Sequence, residues 1–154
     1  GVRAGSVRKA RWDEFDFDEN VWTIPPAHEK TGNEHRVPLS TGALDILNSL
    51  IKIDGCDLVF PSSTGKVLTD GAISKTMRQM RERGEIGYKG VPHGCRATFR
   101  TWAADKTSYS DEIRKAASGH SFGDSVKMAY QRGDLLEKRR RLMEEWSLFL
   151  SSKQ

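Results

Sequence analysis

Apolar residues in this 154-residue chain come only in short clusters, and the turn residues between them restrict what each cluster can become. Between Arg11 and Leu39 the clusters are strand-sized: Arg11 to Phe15, Val21 to Ile24 and Arg36 to Leu39. Asp18-Glu19-Asn20 is a turn between the first two, and Pro25-Pro26 ends the second. Thr31-Gly32-Asn33 supplies another turn, so a small antiparallel meander with a long second connection is predicted. From Thr41 onward the spacing is mostly helical. Leu44, Leu47 and Leu50/Ile51 mark a helix that Ser40 can cap, running to about Ile51. Leu58 to Phe60 and Lys66 to Leu68 read as short strands around a Pro-Ser-Ser-Thr-Gly turn. Thr69 or Asp70 then caps a helix through Arg83, with Ile73, Met77 and Met80 inward.

A helix from His93 to Ala104 should bury Phe99, Trp102 and Ala103, and the opening Gly5 to Ala10 reads as the end of a helix. Ser110 caps a helix from Asp111 to Ser118, which Gly119 stops. A short helix is expected from Asp124 to about Gln131. Gly133 breaks it, and Asp134 caps a last helix to Leu150. That helix places Leu135, Leu142, Met143, Trp146, Phe149 and Leu150 on one side. The predicted fold class is mainly α with a small antiparallel β-sheet near the N-terminus (α+β), in one domain.

The composition narrows the function. Apolar residues recur throughout, which excludes a disordered charged tail, and no apolar stretch approaches the ~20 residues that cross a bilayer. The start, GVRAGSVRKAR, has no apolar core of a signal peptide. It also lacks an initiator Met, and the expectation is a fragment of a longer protein in a cytoplasmic setting. Cys56 and Cys95 are too few for a disulfide framework, and His28, His35, His93 and His120 are too scattered for a structural metal. Lys and Arg number 25 against 21 Asp and Glu, a small excess that is unevenly distributed. Lys75 to Arg100 carries seven bases against Glu82 and Glu85, and Lys138-Arg139-Arg140-Arg141 is a basic run. One basic face of this kind suits a nucleic-acid partner, although solvated helix faces give the same pattern.

The chemistry-bearing residues have plain readings when taken singly. His93 and Arg96 are spaced to share a helix face, where one can move a proton and the other can hold two phosphate oxygens. His120 follows the helix-stopping Gly119 at a corner. Tyr130 lies between Gly123 and Gly133, Lys30 falls in the connection before the third strand, and Arg3 is near the start.

In order, Arg3, Lys30, His93-x-x-Arg96, His120 and Tyr130 resemble the catalytic signature of the tyrosine recombinases, the phage integrase family, in the manner of prophage and genomic-island integrases. GVRAGSV is similar to the box that supplies the family's first arginine. HEKTGNEHRVPLS resembles the β-hairpin lysine region, and VPHGCRATFRTWA resembles the H-x-x-R box. SGH followed by AYQRGD resembles the second histidine and the nucleophile. One position departs from the pattern. Many members carry an acidic residue three after the first arginine, where this chain has Ser6, and a hydroxyl offers Arg3 only a weak hydrogen bond.

The resemblance implies the C-terminal catalytic domain of an integrase over residues 1–154, with upstream catalytic helices and N-terminal DNA-binding domains lying outside it. It implies cleavage and rejoining of double-stranded DNA at attachment sites through a 3′-phosphotyrosine. Tyr130 would be the nucleophile, with Arg3, Arg96 and His120 on the phosphate, His93 as base and Lys30 as general acid. No cofactor and no metal are implied. A homo-tetramer on DNA, a monomer in isolation and association with the nucleoid are implied, and no membrane partner. Two alternatives share part of this reading. One is a non-catalytic DNA-binding remnant of a prophage integrase, which would have lost one or more of the six positions. The other is a type IB topoisomerase-like relaxase, which uses similar residues. Whichever holds, the donors of Arg3, His93, Arg96 and His120 are expected to converge on a shallow basic concavity, with Lys30 above it.

Overall fold

The computed structural model describes residues 1–87, 89–119 and 135–152. The expected short helix at Asp124 to Gln131 and the cap at Asp134 lie outside the described residues, as do His120 and Tyr130. Within them the chain is mainly helical, with one three-stranded antiparallel sheet in the order β1-β2-β3.

Helix α1 (Ala4–Lys9) leads into a 3-10 turn at Trp12–Glu14 and then β1 (Phe15–Asp16). The strand expected from Arg11 to Phe15 is therefore mostly a 3-10 turn. Arg11 instead makes an isolated bridge to Leu58, and the Trp12 amide donates to the Asp57 carbonyl at 2.9 Å. Asp16 closes the β1–β2 turn by accepting from the amides of Asp18 and Glu19 at 3.0 and 2.8 Å, and Asn20 takes a left-handed φ of 54°. Strand β2 (Val21–Ile24) pairs Trp22 with Phe15 on one side and Val37 of β3 (His35–Pro38) on the other. The Phe15 and Trp22 rings stack at 5.2 Å, the cross-strand contact that fixes this register. A 3-10 turn at Pro26–His28 occupies part of the long second connection.

Helix α2 (Thr41–Ser49) follows the sheet, with Ser40 as its N-cap residue but no side-chain cap bond. The two strands expected around the Pro-Ser-Ser-Thr-Gly turn are reduced to isolated bridges, Arg11 to Leu58 and Pro61 to Val67. Helix α3 (Ala72–Glu82) begins after Gly71, not Thr69 or Asp70. Asp70 is instead paired with the Arg8 guanidinium, which also donates to the Leu68 carbonyl. Ile73, Met77 and Met80 are only half-buried, so α3 lies at the edge of the core.

Helix α4 (Pro92–Lys106) starts with Pro at its first position, where the missing N–H costs nothing. Its buried residues, Arg96, Phe99, Trp102 and Ala103, follow helical spacing. Helix α5 (Asp111–Ala117) is capped as expected by Ser110, whose Oγ accepts from the Ile113 amide at 3.5 Å. Helix α6 (Leu136–Ser151) has Leu135 in a left-handed conformation at its start.

Among the described residues the buried apolar side chains form two clusters. One joins Trp22, Ile24, Val37, Leu47, Val59 and Ala10 between the sheet, α1 and α2. The second joins Phe99, Trp102, Ala103, Ile113, Ala117 and Leu142 between α4, α5 and α6. Met143, Trp146 and Phe149 of the expected α6 stripe pack onto the second cluster, so that stripe is covered within its own chain. Leu148 and Leu150 remain exposed. The basic run does not form a wholly solvated face either. Arg139 is buried and donates to the Arg36 carbonyl at 2.6 Å, which ties α6 to β3. Leu142 is fully buried in the second cluster. Leu142→Ala should cost ~2–5 kcal/mol of stability, read from chemical denaturation.

Candidate phosphate-binding site

The two clusters meet where Gly1 and Val2 lie between them. Val2 packs on the sheet cluster. A side-chain atom at Gly1 would sit 2.7 Å from the Phe99 ring of the helical cluster and 3.1 Å from the Ala117 carbonyl. The Gly1 carbonyl accepts from Arg96 Nη1 at 2.6 Å. Arg3, at the N-cap of α1, turns its Nη1 to the Gly119 carbonyl at 3.2 Å and to the carboxylate of Glu29. Arg3 and Arg96 are therefore fixed on one seam by α1, α4, the end of α5 and the β2–β3 connection. Arg96 is buried, and its guanidinium pKa is lowered by burial first and by the like charge of Arg3 second.

Glu29 is the carboxylate that sequence reasoning missed. Its side chain is 2% exposed, against 25% for Arg3. Besides Arg3, it accepts from Ser6 Oγ at 3.2 Å and from the Lys30 amide at 3.1 Å. The hydroxyl of Ser6 is thus directed to Glu29, not to Arg3. The sequence signal was indirect. A half-buried arginine without an acid on its own helix draws one from elsewhere, and Glu29 stands beside the lysine already singled out.

His35 was also missed. It sits on β3 against Gly119, whose φ is +59°. A Cβ at Gly119 would lie 3.3 Å from two atoms of the His35 ring, so glycine there satisfies both the left-handed turn and the close approach. Burial, and next the charge of Arg139, pull the His35 pKa from 6.5 to about 4, against the opposing pull of Glu29. Arg96 adds to the lowering.

The other sequence-selected residues divide. Lys30 is exposed, in the β2–β3 connection directly after Glu29. His93 is exposed in the first turn of α4, one turn before Arg96. Of the expected convergence, the described residues bring Arg3 and Arg96 to one seam and leave His93 and Lys30 exposed on the elements that border it. Among the described residues there is no cluster of three or more His, Cys, Asp or Glu side chains suited to a metal ion. Nor is any helix long and apolar enough to cross a membrane.

A model of the phage integrase family matches residues 1–135. The prophage integrase IntA of Escherichia coli K12 is 35% identical across 95% of this chain, and the integrase of Enterobacteria phage P4 is 33% identical across 97%. The chain spans 35% and 37% of the lengths of these two relatives. Among solved structures, the Tn1549 transposon integrase in complex with circular intermediate DNA matches with a TM-score of 0.49 and 12% identity, over 84% of this chain and 53% of that one.

The folded state keeps the His35 imidazole neutral, while the unfolded chain binds a proton below about 6.5. The contribution of His35 to stability is therefore complete above pH 6.5 and falls as the pH drops towards about 4. In His35→Gln, the thermal midpoint should lose this part of its pH dependence across that window.

Proposed function

This chain belongs to the phage integrase family, and from that premise we propose that it is the catalytic part of a site-specific DNA recombinase acting through a 3′-phosphotyrosine. The observation that carries the proposal is the pairing of Arg3 and Arg96 on one seam. Burial first and the charge of Arg3 second lower the Arg96 pKa, and Glu29, which is bonded to Arg3, offsets part of that lowering. Such a concentration of fixed positive charge is costly unless an anion is to be bound, and guanidinium groups match the oxygens of a phosphodiester.

In the proposed reaction the Tyr130 hydroxyl attacks the scissile phosphorus. A bond forms from its oxygen to phosphorus, and the bond to the 5′-oxygen breaks. Phenol has a pKa near ~10 and needs a base at neutral pH, which His93 supplies by accepting the proton. Lys30, on its exposed connection, protonates the departing 5′-oxygen. Arg3 and Arg96 hold the non-bridging oxygens and offset charge that builds in the transition state. His120 adds a hydrogen bond. It follows directly in sequence on Gly119, whose carbonyl is held by Arg3. The phosphotyrosine conserves the energy of the broken bond, so the reverse attack rejoins the strand without nucleotide hydrolysis.

Double-stranded DNA is the proposed partner, in whichever compartment holds it. The exposed bases Lys75 and Arg78 of α3, with Lys89 and Arg100, supply further positive surface. Exchange between two duplexes requires a cleavage in each strand, hence one nucleophile per strand and a homo-tetramer on DNA.

With nicked DNA and a chelator present, the chain should form a covalent adduct, and Tyr130→Phe should abolish it while leaving DNA affinity within about threefold, since one hydroxyl adds little to many phosphate contacts. An undiminished adduct in the variant would remove Tyr130 from its role. DNA affinity should also fall linearly with the logarithm of salt, with a slope of about −0.9 per phosphate contact. Salt-independent binding would exclude DNA as the partner.

A further inference from the structure

We propose that Glu29 is the positioning residue for Arg3, and that through it one carboxylate sets both the first arginine of the site and the root of the lysine connection. The inference rests on the function proposed above and deepens it. Four contacts carry it. Glu29 Oε1 accepts from Arg3 Nη1 and, at 3.1 Å, from the backbone amide of Lys30. Glu29 Oε2 accepts from Ser6 Oγ at 3.2 Å. Arg3 Nη1 also reaches the Gly119 carbonyl at 3.2 Å. The carboxylate is thus held from three directions by donors of its own chain, and its side chain is almost completely buried.

A carboxylate merely occupying the phosphate position would have to leave when DNA binds. Glu29 is not arranged for that. Leaving would strip hydrogen bonds from a buried hydroxyl and from the Lys30 amide as well as from Arg3. Both described contacts of Arg3 run through Nη1, and among the described residues Nη2 and Nε have no hydrogen bond, while a quarter of the side chain stays exposed. This is the geometry of a guanidinium steadied at one nitrogen and open at the others, with the support supplied across the fold and not by α1 itself. Ser6 and Arg3 lie one helical turn apart, and Ser6 Oγ already faces the carboxylate. An acidic side chain at position 6 could therefore reach Arg3 from its own helix.

The experiment uses the full chain with Glu29→Gln, with Glu29→Ala, and with Glu29→Ala combined with Ser6→Glu. Two readouts are taken: the single-turnover rate of adduct formation on nicked DNA, and the ¹⁵N signals of the Arg3 guanidinium, assigned with Arg3→Lys. Glu29→Gln should lower the rate by ~10–100-fold, the scale of a small displacement of a catalytic group, with DNA affinity within about threefold. The Arg3 signals should lose their restricted rotation. Adding Ser6→Glu to Glu29→Ala should restore both. On DNA with an uncharged methylphosphonate at the scissile position, the Glu29→Gln defect should shrink, because less charge needs neutralising, whereas general loosening of the fold would slow both substrates equally.

A rate in Glu29→Gln equal to or above the wild type, or equal defects on both substrates without rescue by Ser6→Glu, would overturn the proposal. If the wild type forms no adduct, the functional reading fails separately. The guanidinium signals then decide on Glu29 alone, since unchanged Arg3 rotation in Glu29→Gln overturns the positioning role and lost rotation that Ser6→Glu restores upholds it.

Discussion

A carboxylate removed from water must be matched by positive charge and hydrogen bonds, or the cost of its burial is not recovered. Glu29 meets this condition only if three separate pieces of chain arrive together: Arg3 and Ser6 from α1, the Lys30 amide from its own connection, and, through Arg3, the Gly119 carbonyl at the end of α5. The meander, the first helix and the helical half are thus brought to one point by a single ionised group. Losing one partner of such a pair leaves a buried charge uncompensated, so the pair penalises arrangements in which the pieces are misplaced.

Apolar burial prepares the seam on which this happens. The sheet cluster and the helical cluster are each built from large side chains, with Phe15 on Trp22 in one and Trp102 on Trp146 at 5.0 Å in the other. Neither contains the phosphate-site residues. Val2 belongs to the margin of the first and Gly1 lies against Phe99 of the second, so these two residues span the gap. Arg96 shares the inward face of α4 with Phe99 and is therefore carried inward by the same helix that buries the aromatic ring. Buried Arg139 performs a similar task at β3, where it holds the Arg36 carbonyl and, second to burial, lowers the pKa of the neighbouring His35.

Local chemistry was legible where it is decided locally. Ser110 as a cap, Gly119 as a stop and the Asp18 to Asn20 turn each act on neighbours a few residues away, and the structure has them at those places. The meander and its order followed from the same kind of signal. Misreadings arose where an apolar pattern had two outcomes. Arg11 to Phe15 is bounded like a strand by the turn that follows it, yet Trp12 and Phe15 stand three apart, and pairing at Asp57 and Leu58 accompanies a 3-10 turn over most of it. The stripe of α3 has helical spacing, but Ile73, Met77 and Met80 are only half-buried.

The sequence by itself determined the sequence of elements, the apolar faces of α4 and α6, and the residue types that resemble a recombinase signature, because periodicity, capping and motif spacing act over one or two turns of chain. Only the tertiary structure decided which acid serves Arg3. Ser6 stood at the local position and Glu29 stood 26 residues from Arg3, and the choice between them depends on burial, which no local pattern encodes. The same reason separates Arg139 from the other bases of its run. Four adjacent cations look alike in sequence, and the packing of α6 on β3 takes one of them out of water.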